Sequence, residues 1–121
     1  MNTQEIAQKW ANMCREGKNL DCVTELYADN VVSREMPGMP GEIVSGKENV
    51  WNKSKQWYEN VENLHSSEIG EPIVAGNFFT AKMSFDCTFK EGGRQQMEEV
   101  CVYEVKDGKI ASEQYFYNMD Q

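Results

Sequence analysis

An Asp107-Gly108 pair set between two long runs of mixed apolar and polar residues constrains this chain most. It fixes a β-hairpin over the last quarter, Glu98 to Tyr117, EEVCVYEVKDGKIASEQYFY. A two-residue type I′ turn needs positive φ at both central positions, which Asp-Gly tolerates. Pairing Lys106 with Lys109 sets Val105 opposite Ile110, Val102 opposite Glu113, Val100 opposite Tyr115 and Glu98 opposite Tyr117. One face then carries Glu98, Val100, Val102, Glu104, Ala111, Glu113, Tyr115 and Tyr117, while Glu99, Cys101, Tyr103 and Val105 fall on the other. Acids beside aromatics on a largely apolar face indicate a pocket, and a pocket indicates a small-molecule ligand.

Upstream, Phe79, Ala81, Met83, Phe85, Cys87 and Phe89 alternate with polar residues, the clearest strand pattern in the chain. Glu91-Gly92-Gly93-Arg94 reads as a second turn, and centring it on Gly92-Gly93 puts Phe85 opposite Val100 and Met83 opposite Val102. The Phe79 row then joins Val100, Val102, Tyr115 and Tyr117 on one face; a one-residue change in the loop would invert that assignment. Helical spacing governs the N-terminal half. Ile6, Trp10, Met13 and Cys14 recur between a Thr3 cap and a Gly17 stop, and Leu20, Val23, Leu26 and Tyr27 repeat the pattern. Val31 to Met36 follows as a strand, and Pro37-Gly38 with Pro40-Gly41 then form an irregular loop suited to a pocket rim. Ser45 is placed to cap a third helix with an aromatic stripe of Val50, Trp51, Trp57, Tyr58 and Val61. Helices first and a strand meander after predict an α+β fold, a curved antiparallel sheet wrapped around N-terminal helices as a cone with one pocket at its open end.

At 121 residues the chain fits one domain, residues 1–121, large enough for a core without disulfides or metals. A net charge of -8 argues against nucleic-acid partners and anionic membrane surfaces, both of which select basic patches. The N-terminus lacks signal-peptide features and no apolar run reaches the roughly 18 to 20 residues of a membrane span, so a cytoplasmic protein is expected. Cys14, Cys22, Cys87 and Cys101 form no CxxC pair and read as small buried apolar residues. The single histidine, His65, has no partner at metal-ligand spacing; neither a metal nor another cofactor is expected.

The order of two helices, LYADNVV, a Pro/Gly loop, an aromatic helix, then VAGNFF, FDCTF and YEVKDGKIASEQYFY resembles the SnoaL-like group of the nuclear-transport-factor-two-like, or cystatin-like, superfamily. The resemblance spans nearly the whole chain. It implies the cone fold, a homodimer built on the sheet, and relatives that include polyketide cyclases, ketosteroid isomerase and non-catalytic binding modules, so fold alone does not assign function. Ketosteroid isomerase chemistry needs a base just after the LYAD-like segment, which Glu35 matches. It also needs a tyrosine and a protonated aspartate as oxyanion donors, and those positions fall on Ala11 and Val100. Losing one such donor costs about two to three orders of magnitude in rate, so that route is disfavoured. The arginine and aspartate of the limonene-epoxide hydrolase type are replaced by Ser112, Glu113, Gln114 and Tyr115. SnoaL-type cyclase chemistry asks for little more than one positioned acid–base group in an apolar cavity.

Glu35 is accordingly the first catalytic candidate, since burial would raise its pKa toward the range useful for proton transfer. Glu113 is the second, as a carboxylate on an apolar face whose charge Arg34 or a tyrosine hydroxyl could satisfy. His65 is the third, because its unperturbed pKa lies near neutrality. Tyr115 and Tyr117 are placed to hydrogen-bond and stack on a ligand, with Trp57, Phe85, Val100 and Val102 as apolar wall; Asp86 and Glu99 are assigned to the opposite, dimer-forming surface. The expectation is a protein binding a small apolar, ring-containing molecule, with cofactor-free acid–base catalysis as one outcome and a non-catalytic binding or dimerisation module as the other.

Overall fold

A computed structural model describes residues 1–119. Helix α1 (Thr3–Arg15) begins with a capping box one residue earlier than expected. The Glu5 amide donates to Asn2 Oδ1 at 2.8 Å, and the Asn2 amide donates to Glu5 Oε1 at 2.9 Å. It ends at Gly17, whose φ of 76° lets the Lys18 amide reach back to the Met13 carbonyl at 2.8 Å. Ile6, Ala7, Trp10, Ala11, Met13 and Cys14 are its buried stripe. Helix α2 (Asn19–Leu26) buries Cys22, Val23 and Leu26. Helix α3 (Lys47–Asn60) is capped by Gly46 rather than Ser45, since Ser45 accepts through its backbone carbonyl from the Asn49 side chain at 3.0 Å. Its Val50 is buried, and Trp51, Trp57 and Tyr58 are half-buried.

The strands are β1 (Tyr27–Arg34), β2 (Ile43–Ser45), β3 (Val61–Ile69), β4 (Ile73–Ala75), β5 (Phe78–Phe89), β6 (Gly93–Lys106) and β7 (Lys109–Phe116). They form one sheet in the order β2-β1-β7-β6-β5-β3, with β4 also on β5. Every pairing is antiparallel except β1 with β7, so the sheet is mixed where the sequence suggested antiparallel throughout. Helix and inner-sheet residues share one core. Trp10 packs its ring 4.9 Å from Tyr103 and 5.5 Å from Phe79, and Phe79 stacks on Tyr103 at 4.7 Å. This cluster pins α1 to strands β5 and β6.

Two register corrections decide which side chains face inward. The Asp107-Gly108 turn forms as expected, with φ of 51° and 74°, and keeps Val105 opposite Ile110. A β-bulge then leaves Ala111 over, so that Glu104 meets Ser112, Tyr103 meets Glu113 and Cys101 meets Tyr115. In the second hairpin Phe89 pairs with Gly93 across a three-residue loop, Lys90-Glu91-Gly92, in place of a two-residue turn. Phe85 therefore meets Met97, not Val100, and Met83 meets Glu99, not Val102. An odd shift inverts a strand's faces. Cys101, Tyr103 and Val105 are buried with the Phe79 row, and Val100 is 45% exposed on the outside beside Phe116. Glu99, expected on the outer face with Asp86, turns inward, while Asp86 stays outside in an ion pair with Arg94. No helix among the described residues is long and apolar enough to cross a membrane.

Candidate functional site

The bulge that moves Val100 and Val102 outward keeps Glu113, Tyr115 and Tyr117 on the inner side, because it lies before them in β7. Glu113 is 3% exposed. A carboxyl so placed needs donors, and β1 supplies them: the Tyr27 hydroxyl donates to Oε1 and the Ser33 hydroxyl to Oε2 at 2.6 Å. Burial pushes the Glu113 pKa up, opposed by the hydroxyls of Ser33, Tyr27 and Tyr115 and by the Lys53 ammonium. The expected tyrosine hydroxyl is thus its partner, with Ser33 in the place considered for Arg34. Replacing Tyr27 by phenylalanine should cost about 1 to 3 kcal/mol in a denaturant titration, since a buried carboxyl loses a donor; an unchanged midpoint would remove that bond from the fold's energetics.

Glu35 follows β1 directly and is held from two sides. Lys53 of α3 donates to its Oε2 at 2.8 Å, and Tyr117 donates to its Oε1 at 2.7 Å. Lys53 also reaches Ser33 Oγ at 3.3 Å and lies 5.7 Å from the centre of the Tyr115 ring. The Glu35 and Lys53 side chains keep 17% and 25% of their exposure, so this pair borders solvent without being immersed in it. Behind Glu35 the Pro/Gly loop is closed by the Glu35 amide on the Glu42 carbonyl at 2.8 Å and by the Gly38 amide on Glu42 Oε1 at 2.9 Å.

Glu99 is the residue the sequence reasoning missed. Its one hydrogen-bond contact is the Cys101 thiol at 3.8 Å, a weak donor. Burial, reinforced by Glu35 and Glu113 and opposed by the thiol and Lys53, pushes its pKa up to about 7. Tyr115 and Tyr117 are pushed up as well, first by burial and then by the neighbouring acids, so both remain neutral hydroxyls. The Gly92-Gly93 loop was the signal available for Glu99, since a three-residue loop is the alternative that turns it inward. Lys53 was visible too, three residues after Val50 and four before Trp57 on one helix stripe.

Trp57 and Phe85, the expected walls, do meet. Their ring centroids are 5.6 Å apart, and Trp57 also lies edge-on to Tyr58 and Phe89 at 5.0 and 5.7 Å. His65 does not join them. It is exposed on β3, with Nε2 2.8 Å from the Thr88 hydroxyl. Two open surface depressions of about 590 and 710 Å³ lie outside this cluster, lined by residues such as Lys47 and Trp51 or Arg34 and Ser112; Glu35, Glu99 and Glu113 line neither. Among the described residues no group of three His, Cys, Asp or Glu is placed to hold a metal ion.

The family model of the SnoaL-like domain matches residues 1–117. A solved candidate SnoaL-like polyketide cyclase from Mesorhizobium loti is 35% identical, with 97% of this chain and 100% of that one covered at a TM-score of 0.92. A Xanthomonas campestris protein of unknown function with a cystatin-like fold superposes at a TM-score of 0.81 with 18% identity, covering 98% and 92% of the two chains. A candidate isomerase from Bacillus subtilis superposes at 0.75 with 22% identity, covering 98% and 90%. No curated protein matches at a significant level.

Proposed function

Because the chain belongs to the SnoaL-like domain family, we propose that its cone mouth binds a small, apolar, ring-containing molecule and performs cofactor-free acid–base chemistry on it. The observation that carries this is Glu99, an inward carboxyl with no counter-ion of its own and a pKa of about 7. A group with that value holds and releases a proton with little cost near neutrality, which is what a general acid or base requires. Glu35 takes a supporting role, since Lys53 and Tyr117 already occupy its oxygens. Of those two donors the Lys53 ammonium has a proton left beyond its bonds to Glu35 and Ser33, and it is the group able to stabilise negative charge developing on a substrate oxygen. Trp57 and Phe85 provide the apolar wall against which a ring packs.

The test is hydrogen–deuterium exchange by NMR, with a panel of cyclic ketones in heavy water. Exchange at the carbon beside the carbonyl should rise with pH through about 7 and fall by about two orders of magnitude in Glu99→Gln. Full exchange in Glu99→Gln would remove Glu99 from the chemistry. The paired state of Glu113 and Glu35 favours a second reading, a binding module whose acids only orient a ligand. Ligand-dependent stabilisation without exchange of any substrate would select it.

A further inference from the structure

We propose that the ligand of this mouth is an organic cation, a small ring-bearing amine or ammonium, whose charge sits against Glu99 and whose apolar part lies on Trp57 and Phe85. This rests on the binding-site reading above and names the class of ligand it takes. Three carboxyl groups, Glu35, Glu99 and Glu113, converge here from the end of β1, from β6 and from β7. One ammonium, that of Lys53, faces them, and it is committed to Glu35 at 2.8 Å. Glu113 has hydroxyl donors and Glu35 has its lysine, so Glu99 is the one of the three left with neither a cation nor a strong donor. A carboxylate in a partly desolvated wall is costly alone, and an incoming cation supplies the missing charge.

The aromatic lining selects the same kind of group. Trp57 has the Tyr58, Phe85 and Phe89 rings 5.0 to 5.7 Å away at tilted or edge-on angles, so the apolar wall is built of aromatic rings. Ammonium groups of α3 already lie over aromatic rings: Lys53 is 5.7 Å from the centre of the Tyr115 ring of β7, and Lys55 is 5.5 Å from that of Trp51. An anionic ligand would enter against three acids, whereas a cation compensates Glu99 whenever that carboxyl is ionised. The groups that face Glu99 are Glu35, Lys53 and Tyr58 from the β1 end and α3, Cys101 from its own strand, and Glu113, Tyr115 and Tyr117 from β7 and its end. Of these only Lys53 is positive, and the chain as a whole carries a net charge of -8, which raises the local concentration of cations.

The experiment compares three probes of similar size by calorimetry and by quenching of tryptophan fluorescence: benzyltrimethylammonium, its neutral isostere neopentylbenzene, and phenylacetate. Near pH 8 the cation should bind about tenfold or more tighter than the isostere, and phenylacetate should not bind. Glu99→Gln should erase most of that preference, and so should lowering the pH of the wild-type protein toward 5, where Glu99 is protonated. Equal or tighter binding of neopentylbenzene, or binding of phenylacetate, would overturn the cation and leave the binding site standing. Failure of all three probes to bind would overturn both.

Discussion

Exchanging Glu99 for glutamine should make the protein more stable at alkaline pH, by about 3 kcal/mol near pH 8. The sign follows from the direction of the shift. Folding raises this carboxyl from 4.5 to about 7, so between those values the folded chain keeps a proton that the unfolded chain has lost. Stability therefore falls as pH rises through that window and stays low above it. A glutamine has no charge to bury, so the variant escapes the penalty, and the gain should vanish toward pH 4. Glu113, also raised by burial, retains its own contribution, so the variant's pH dependence flattens without disappearing. Urea titrations of both proteins across pH 4 to 9 read this directly, with the approximate magnitude fixed by the linkage relation. Equal pH dependence in the two would mean that folding does not perturb Glu99. A residue whose removal stabilises the fold is one kept for another purpose, which is the expected mark of a group poised for chemistry or for a charged ligand.

Trp10→Ala is expected to be the most damaging single change, costing about 3 to 5 kcal/mol. Trp10 is 1% exposed and lies against both Phe79 and Tyr103, which stack on each other. Truncation opens a cavity that two flat rings held by strands β5 and β6 cannot collapse to fill. A domain of this size has about 5 to 15 kcal/mol in total, so the variant should unfold at a much lower urea concentration. A loss under about 1 kcal/mol would place the centre of the core elsewhere. Trp10 and Glu99 share neither a ring partner nor a hydrogen-bond partner, and the effects of the two variants should add.

How much of this was legible before the structure depended on whether a local signal settled the geometry. Asp107-Gly108 fixed its own turn, because few dipeptides accept that backbone. The Ala111 bulge had no such signal: an extra residue in a strand is chosen by its neighbours, here the parallel pairing of β1 with β7, which joins segments far apart in sequence. Gly92-Gly93 was ambiguous between a two- and a three-residue loop, and the choice decided whether Glu99 or Val100 faced the interior. The position that read as an isomerase's missing acid thus lies next to an acid that does turn inward. Glu113, Tyr115 and Tyr117 keep the side of the sheet expected of them because the bulge precedes them. His65 followed from its intrinsic pKa alone, and no local pattern tied it to the site. Glu35 was found from the family position, but its pairing with Lys53 and Tyr117 needed α3 and the β7 end brought together in three dimensions.

The account turns on the proton of Glu99. Labelling the glutamate side-chain carboxyls with carbon-13 and following each resonance across pH, with Glu99→Gln to identify the one that disappears, measures it without any ligand. The predicted midpoint for Glu99 is about 7; a midpoint at the ordinary 4.5 would contradict the proposed acid–base site.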